Sequence, residues 1–273
     1  MTLLIGPAPR LALSVAGAGP LVVLLHGIGG NRSHWDDQLA ALAPEFTAVA
    51  PDARGYGDSD DDDGPLAFAD LAGDVLRVLD HFGAARAHLV GLSLGGRVAR
   101  DLCLRHPGRV ATLVLANTHA GFDALAPEAV DAFIGARRGP FLAGKAPHEL
   151  APELARGVLG SAAPARARER LLASLGALRK NAYLKTLEAS VRDDRGAPVE
   201  RIAVPTLVVT SDEDAVYPPA TAQALARRIP GARLAVIAGA GHLSNLERPE
   251  AFNDTLRAFL REHRDRAAPP APR

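Results

Sequence analysis

A serine placed between two glycines is the feature of this sequence that most directly suggests chemistry. Ser93 lies in the run Gly91–Gly95 (GLSLG), between a predicted strand that ends at Val90 and a helix that begins at about Leu94. So tight a turn strains the backbone at the serine, and the glycines on either side remove side chains that would clash. The pattern therefore predicts an exposed nucleophile in front of a helix N-terminus, with a plain turn serine as the alternative.

A serine hydroxyl needs a base, and the base needs an orienting group, before it can attack a carbonyl at neutral pH. His242 is the candidate base among nine histidines, because it follows the last predicted strand in a loop of small residues. That loop should lie at the same sheet edge as Ser93. The candidate acid is Asp214, in the run TSDED after another predicted strand, and Asp212 in that run is the alternative.

A glycine-rich loop, His26–Gly30 (HGIGG), directly follows a further predicted strand. Acyl transfer builds negative charge on the substrate oxygen, and one preorganised N–H donor there is worth about 3 to 4 kcal/mol. We assign the backbone N–H groups of Ile28 and Leu94 as the two donors. The alternative is phosphate binding, but the loop has neither a Gly-Lys-Ser/Thr ending nor Rossmann spacing.

Short apolar runs that alternate with helical patterns must position these loops. The predicted strands are Arg10–Val15, Leu21–Leu25, Thr47–Ala50, Ala87–Val90, Val110–Leu115, Thr206–Thr210 and Arg233–Ile237. The predicted helices are Phe68–Phe82, Gly95–Arg105, Ala220–Arg228 and Pro249–His263. Several strands are apolar at consecutive positions, as expected where helices cover both faces of a parallel sheet. We therefore predict an α/β fold with a mostly parallel central sheet and helices on both faces.

The alternation of predicted strands and helices stops between about His119 and Val199, where helix-like segments contain Pro and Gly and no convincing strand occurs. It resumes at Ile202. Residues 1–118 and 200–266 are therefore predicted to form one core, and residues 119–199 a helical insertion between two of its strands. Residues 267–273 are rich in Ala and Pro and are predicted to be a disordered tail.

The amino-acid composition limits the kinds of molecule that the protein is expected to bind. Lys plus Arg and Asp plus Glu number 31 each, which gives no electrostatic case for nucleic acid or an anionic membrane. A helix that crosses a bilayer needs about 20 apolar residues, and the apolar run Leu21–Leu25 is far shorter. The N-terminus lacks the basic region of a signal peptide. One cysteine, Cys103, fits a reducing compartment. We expect a cytoplasmic protein with a small-molecule substrate, and a homodimer is left open.

Over nearly its whole length the sequence resembles the α/β-hydrolase superfamily. The motifs that match in order are His26–Gly27, Asp52–Ser59 (DARGYGDS), the serine run, Pro205–Leu207 and Gly241–His242. The resemblance implies that Ser93, Asp214 and His242 form a catalytic triad, and that the two amides assigned above form the oxyanion hole. It also implies that residues 119–199 form a cap, a helical lid over the site, and that the Asp52–Ser59 motif braces the sheet edge.

The run Gly241–Pro249 (GHLSNLERP) is similar to that of 3-oxoadipate enol-lactonases and related carboxylesterases, which also show a pair like Asn117–Thr118. This resemblance implies hydrolysis of a small ester or lactone through an acyl-enzyme. The run Ser93–Arg97 also resembles a synthase of a menaquinone precursor, in which an arginine placed like Arg97 holds a carboxylate. Carbon–carbon bond hydrolases and haloperoxidases share the core, and a non-catalytic ligand-binding protein on this fold stays an alternative.

Four residues are predicted to contact the substrate: Gly27, Trp35, Arg97 and Leu243. Core packing is the alternative role of Trp35, and a salt bridge is the alternative role of Arg97. The acidic run Asp58–Asp63 lacks the spacing of a calcium loop, so no metal site is predicted. No cofactor is expected either, because side chains form the nucleophile.

Overall fold

The carboxyl ends of parallel strands carry the loops that hold the candidate site residues. The computed structural model describes residues 2–122, 126–194 and 198–267. Its eight strands are β1 (Thr2–Ile5), β2 (Leu11–Ala16), β3 (Leu21–Leu25), β4 (Thr47–Pro51), β5 (Ala87–Leu92), β6 (Val110–Ala116), β7 (Thr206–Ser211) and β8 (Arg233–Ile237). They form one sheet in the order β1-β2-β4-β3-β5-β6-β7-β8. The β1–β2 and β2–β4 pairs are antiparallel, and all other neighbours are parallel.

Helices connect these strands and cover both faces of the sheet. In the described residues they are α1 (Asp36–Leu42), α2 (Phe68–His81), α3 (Leu94–Arg105), α4 (Pro127–Leu142), α5 (Pro147–Leu154), α6 (Ala165–Gly176), α7 (Lys180–Arg192), α8 (Pro219–Arg228), α9 (Ser244–Glu247) and α10 (Pro249–Glu262). Apolar side chains of α1 and α10 pack in one core layer, and those of α2, α3 and α8 pack in the other. The predicted mostly parallel α/β fold is therefore confirmed.

The apolar pattern of β3 shows why the strands could be predicted. All five of its side chains are buried. Val22 and Leu24 belong to the layer of α10, whereas Leu21, Val23 and Leu25 belong to the layer of α2. Successive side chains of a strand point to opposite faces, so a continuous apolar run contributes to both layers. Full burial of each such side chain stabilises the fold by about 1.5 to 3 kcal/mol.

The sequence pattern misses the strand β1 and the two short helices α1 and α9. The four-residue strand β1 lies at the sheet edge, and only its last residue, Ile5, is fully buried. Helix α1 has seven residues, too few for a clear helical repeat. All predicted strands and helices are present, with ends that differ from the prediction by one or two residues at several positions.

The Asp52–Ser59 loop braces the sheet edge, as the resemblance implied. One Asp52 carboxylate oxygen accepts a hydrogen bond from the backbone N–H of Asp58 at 2.9 Å. Ser59 Oγ donates to the carbonyl of Asp52 at 2.7 Å and accepts from the backbone N–H of Ala12 in β2 at 2.9 Å. These bonds connect the loop after β4 to the neighbouring strand β2.

Helices α4 to α7 lie between β6 and β7, where the insertion was predicted, and its described part contains no strand. A buried ion cluster connects the end of this insertion to the core. The carboxylate of Asp194 accepts hydrogen bonds from Arg97 Nη1 at 2.9 Å and from Arg100 Nη2, both on α3. Each of the three side chains is at most 5% exposed. Arg97 Nη1 also donates to the carbonyl of Ser190 at 2.6 Å.

At the end of the described chain, Ala267 is buried, although the predicted tail begins there. The rest of that predicted tail, residues 268–273, lies outside the described residues. Within the described ranges no helix combines the length and the apolar character needed to cross a membrane.

We predict that Asp194→Ala lowers the free energy of unfolding by about 3 to 5 kcal/mol, because it leaves two buried guanidinium groups without their carboxylate. Urea denaturation followed by circular dichroism measures this change. The matched control is Asp131→Ala, which removes an exposed partner of Arg192 at the end of α7 and should change stability little. Equal losses in the two variants would contradict the structural role of the buried cluster.

Candidate active site

Ser93 occupies a strained turn between β5 and α3. Its φ is +54°, a value that costs a non-glycine residue on the order of 1 to 3 kcal/mol. A Cβ on Gly91 would lie 2.2 Å from the carbonyl oxygen of Gly95, and a Cβ on Gly95 would lie 2.1 Å from that of Leu25. Only glycine fits at either position. The geometry is therefore the tight strand-to-helix turn that the GLSLG pattern predicts.

His242 and Asp214 form a buried pair after β8 and β7. Nδ1 of His242 lies 3.0 Å from Oδ2 and 3.2 Å from Oδ1 of Asp214. An ionised carboxylate only accepts hydrogen bonds, so Nδ1 carries the proton and donates it. In the neutral tautomer with its proton on Nδ1, Nε2 has the free lone pair that a general base needs. His242 and Ser93 line the same cavity.

Four donors surround the Asp214 carboxylate. Oδ1 accepts from the backbone N–H groups of Val216 and Tyr217, both at 2.9 Å, and Oδ2 accepts from Asn117 Nδ2 at 3.0 Å. Burial by itself would raise the pKa of this carboxyl group. The hydrogen bonds from His242, the Tyr217 amide and Asn117 outweigh burial and lower that pKa. The carboxylate is therefore ionised at neutral pH, the form that orients an imidazole.

Each acid of the TSDED run has its own partner. Asp212 Oδ1 accepts from the backbone N–H of Gly239 at 2.7 Å, at the surface. Glu213 accepts from the backbone N–H of Ser161 at 2.6 Å. The third acid, Asp214, is the one in contact with the imidazole. The geometry favours Asp214 over the alternative that the sequence left open.

Asn117, which the sequence marks only through the resemblance, organises the loops around the acid. Its φ is +46°, at the end of β6. Besides its bond to Asp214, Nδ2 donates to Ser211 Oγ at 2.8 Å, and Oδ1 accepts from Ser244 Oγ at 2.6 Å. One buried amide thus connects the ends of β6 and β7 with the start of α9.

The two backbone N–H groups assigned to the oxyanion hole, those of Ile28 and Leu94, have no acceptor among the described residues. Both residues line the cavity that Ser93 lines. A Cβ on Gly27 would lie only 3.3 Å from the Cβ of Ser93, so the glycine-rich loop passes close to the serine. The geometry leaves both donors free for a substrate oxygen beside the nucleophile.

His26 holds the glycine-rich loop in this position. Its Nδ1 lies 2.8 Å from the carbonyl oxygen of Gly27, and its Nε2 accepts from the backbone N–H of Ala53 at 3.0 Å. This pattern needs a neutral ring with the proton on Nδ1. Burial lowers the pKa of His26 and so favours that neutral form.

A cavity of about 480 Å³ lies between these loops and the insertion. Gly27 and Leu243, two of the predicted substrate contacts, line it. The insertion contributes apolar side chains to its wall, among them Leu154, Leu171 and Leu187. The candidate site is therefore enclosed by both parts of the chain and has room for a small organic molecule.

Of the other two predicted substrate contacts, Arg97 lines the cavity and Trp35 does not. Arg97 lines the cavity, but its Nη1 is already bound by Asp194, as the salt-bridge alternative expected. Trp35 does not line the cavity, so its prediction as a substrate contact is corrected. The turn Arg32–Trp35 directs the indole into the core, where it is fully buried beside Phe252 at a ring distance of 6.1 Å.

Two side chains at the cavity were missed by the sequence analysis. The ring of Tyr217 lies 5.3 Å from that of His242, nearly edge-on. His34 Nε2 lies 2.9 Å from Ser174 Oγ on α6, and burial lowers the pKa of His34 to about 3, so this ring is neutral. The position of Tyr217, three residues after Asp214 in the loop that follows β7, is the only local signal for it.

Among the described residues, no group of three or more His, Cys, Asp or Glu side chains is arranged to hold a metal ion.

Comparison with known proteins identifies one family. Residues 22–255 match the alpha/beta hydrolase family. The chain is 28% identical over 267 residues to 3-oxoadipate enol-lactonase 2 of Acinetobacter baylyi, with 93% of this chain and 95% of that protein covered. It is 33% identical over 267 residues to RutD of Klebsiella pneumoniae, provisionally assigned as a carbamate hydrolase, with 95% and 96% covered.

Solved structures give the same result for the fold. A thermophilic esterase from Thermogutta terrifontis, determined with malate bound, matches with a TM-score of 0.88 at 28% identity. The match covers 97% of this chain and 99% of the esterase. Because the named relatives carry out different reactions, they support the family and not one substrate.

We predict that Asp214→Asn lowers kcat by about 10⁴-fold, because an asparagine stabilises the wrong imidazole tautomer. Hydrolysis of a small aryl ester measures kcat. Asp212→Asn is the matched control: its side-chain oxygen can still accept the Gly239 N–H, so kcat should be unchanged. A larger loss in the Asp212 variant would show that the acid is misassigned.

Proposed function

The chain belongs to the alpha/beta hydrolase family, and from this premise we propose that it is a serine hydrolase that cleaves a small carboxylic ester or lactone through an acyl-enzyme. One observation carries the proposal: His242 Nδ1 lies 3.0 Å from Asp214 Oδ2, and His242 lines the same cavity as Ser93. Ser93 has the positive φ of the tight strand-to-helix turn. The named activities of the esterase and the enol-lactonase support this substrate class.

The proposed reaction uses only groups of this chain and water. Nε2 of His242 takes the proton from Ser93 Oγ while Oγ forms a bond to the carbonyl carbon, and the Ile28 and Leu94 amides bind the oxyanion. His242 then gives the proton to the leaving oxygen, and the carbon–oxygen bond breaks to leave the acyl group on Ser93. Water, deprotonated by His242, attacks the acyl carbon, and the second intermediate breaks down to the carboxylic acid and free Ser93.

Charge at the cavity supports a substrate that carries a carboxylate. Three arginines line the cavity, Arg97, Arg137 and Arg156, and no Asp or Glu is among its described lining residues. Arg137 and Arg156 form no ion pair within the described part of the chain. Arg97 and Arg100 share the single carboxylate of Asp194. The esterase determined with malate, a dicarboxylate, agrees with this preference.

We predict that Ser93→Ala lowers kcat for the best substrate by on the order of 10⁴- to 10⁶-fold while the circular dichroism spectrum is unchanged. The substrate comes from a panel of enol-lactones, short acyl esters, carbamates and carbon–carbon ring-fission products, ranked by kcat/KM. A phosphonate probe should label the wild-type protein once and the variant not at all.

Retention of most activity in the Ser93 variant would refute the serine mechanism. If no member of the panel is turned over and the probe does not label Ser93, the ligand-binding alternative replaces the proposal. Turnover restricted to carbamates or ring-fission products would keep the serine mechanism and change the substrate class.

We predict that Arg137→Gln raises KM about tenfold for the monomethyl ester of adipic acid, since a hydrogen bond to a charged group contributes about 1.5 kcal/mol. KM for the neutral dimethyl ester should not change. Arg138→Gln is the matched control, because Arg138 is exposed and lies outside the cavity lining. Equal effects on both esters would contradict a carboxylate contact.

A further inference from the structure

The loop that carries His242 rests on a part of the insertion that is distant in sequence. We name the residues Val158–Ser161, which follow α5, the junction segment. The backbone N–H of His242 donates to the carbonyl of Val158 at 2.7 Å. A Cβ added to Gly241 would lie 2.3 Å from the backbone nitrogen of Gly160. The two main chains are therefore in direct contact beside the proposed base.

Glu247 holds this contact together from inside. Its side chain is buried, with 1% exposure. Oε2 accepts from the backbone N–H groups of Gly160 at 2.8 Å and Gly241 at 3.0 Å, and Oε1 accepts from that of Leu243 at 3.2 Å. One carboxylate thus binds the residue before His242, the residue after it and the junction segment.

Local structure explains only part of this arrangement. The bond to Leu243 joins residues four apart and belongs to the short helix α9. The bond to Gly160 spans 87 residues and serves no helix end of the core. Glu247 forms no ion pair within the described residues. A buried carboxylate without a cation has to be compensated by hydrogen bonds. Within the described residues, the bonds that Glu247 accepts come from the two main chains that meet at His242.

We propose that Glu247 is a positioning residue that makes the placement of His242 depend on docking of the junction segment. The carboxylate fixes the loop on both sides of the imidazole and binds it to the insertion, so the base is in place only while the segment is docked. A displacement of about 1 Å at a reacting group can cost about 10²-fold in rate. The inference rests on the proposed function, because it assigns Glu247 to the presentation of the proposed base.

Glu247→Gln tests the proposal with little change in shape. An amide has one acceptor oxygen, and its NH₂ group would face backbone N–H donors, so at least one of the three bonds is lost. We expect kcat, and the rate at which a phosphonate probe labels Ser93, to fall by about 10- to 100-fold. KM should change less than kcat, because Glu247 itself does not line the cavity and only Val158 of the junction segment does.

Glu213→Gln is the matched control. Glu213 accepts from the backbone N–H of Ser161 at the same junction, but in an exposed position, so kcat should be unchanged. Gly160→Ala tests the contact from the insertion side, since its Cβ would lie 2.8 Å from the backbone nitrogen of Gly241. It should reproduce the loss in kcat and keeps the test valid if the Glu247 variant does not fold.

Amide hydrogen exchange measured by NMR gives a readout that does not depend on activity. In Glu247→Gln the N–H groups of His242 and Gly160 should exchange at least about tenfold faster, while exchange in β5 and β6 stays at the wild-type rate. If Ser93→Ala is inactive but Glu247→Gln and Gly160→Ala keep normal kcat and exchange, the inference fails alone. If exchange accelerates throughout the protein, Glu247 has a general structural role and the inference also fails. Activity retained in Ser93→Ala would refute the proposed function and not the exchange result.

Discussion

The tight turn at Ser93 is the constraint on which the rest of the structure depends. A positive φ at a serine is unfavourable by on the order of 1 to 3 kcal/mol, so the surrounding packing has to stabilise it. Strand β5 and helix α3 do so by burial on both sides of the turn. The missing side chain of Gly91 lets β5 approach α3 closely, and the missing side chain of Gly95 lets α3 approach the end of β3. The free amide of Leu94 and the glycine-rich loop after β3 then lie beside the serine as consequences of the same geometry.

Around this turn, the buried carboxylates accept hydrogen bonds mainly from backbone N–H groups and from the side-chain amide of Asn117. Asn117 connects three loops at the carboxyl edge of the sheet and holds Asp214. Glu247 binds the main chain on both sides of His242 and extends the same kind of bonding into the insertion. A fully satisfied buried network is rigid, because each unpaired group would cost free energy. We propose that this rigidity positions the imidazole. The arginines at the cavity add the positive charge that we associate with an anionic substrate.

Local patterns predicted much of this molecule. The strands buried on both faces were visible as continuous apolar runs, and the helices between them as apolar side chains at helical spacing. The turn at Ser93 was predictable because its requirement for glycine lies within five residues. Asp214 and His242 were predicted from their places after strands, because parallel strands bring their carboxyl ends to one edge. Edge strand β1 and short helix α1 were missed because neither is long enough, or buried enough, to show a period.

By itself, then, the sequence determined seven of the eight strands, the longer core helices and the order of the candidate triad, since these follow from burial and backbone geometry within short segments. Only the tertiary structure decided which side chains meet. It chose Asp214 over Asp212 through the direction of one turn, and it buried Trp35 in the core because a 3₁₀ turn directs the indole inward. The bond between Glu247 and Gly160 was invisible in the sequence, because a contact across 87 residues leaves no periodic trace in either segment.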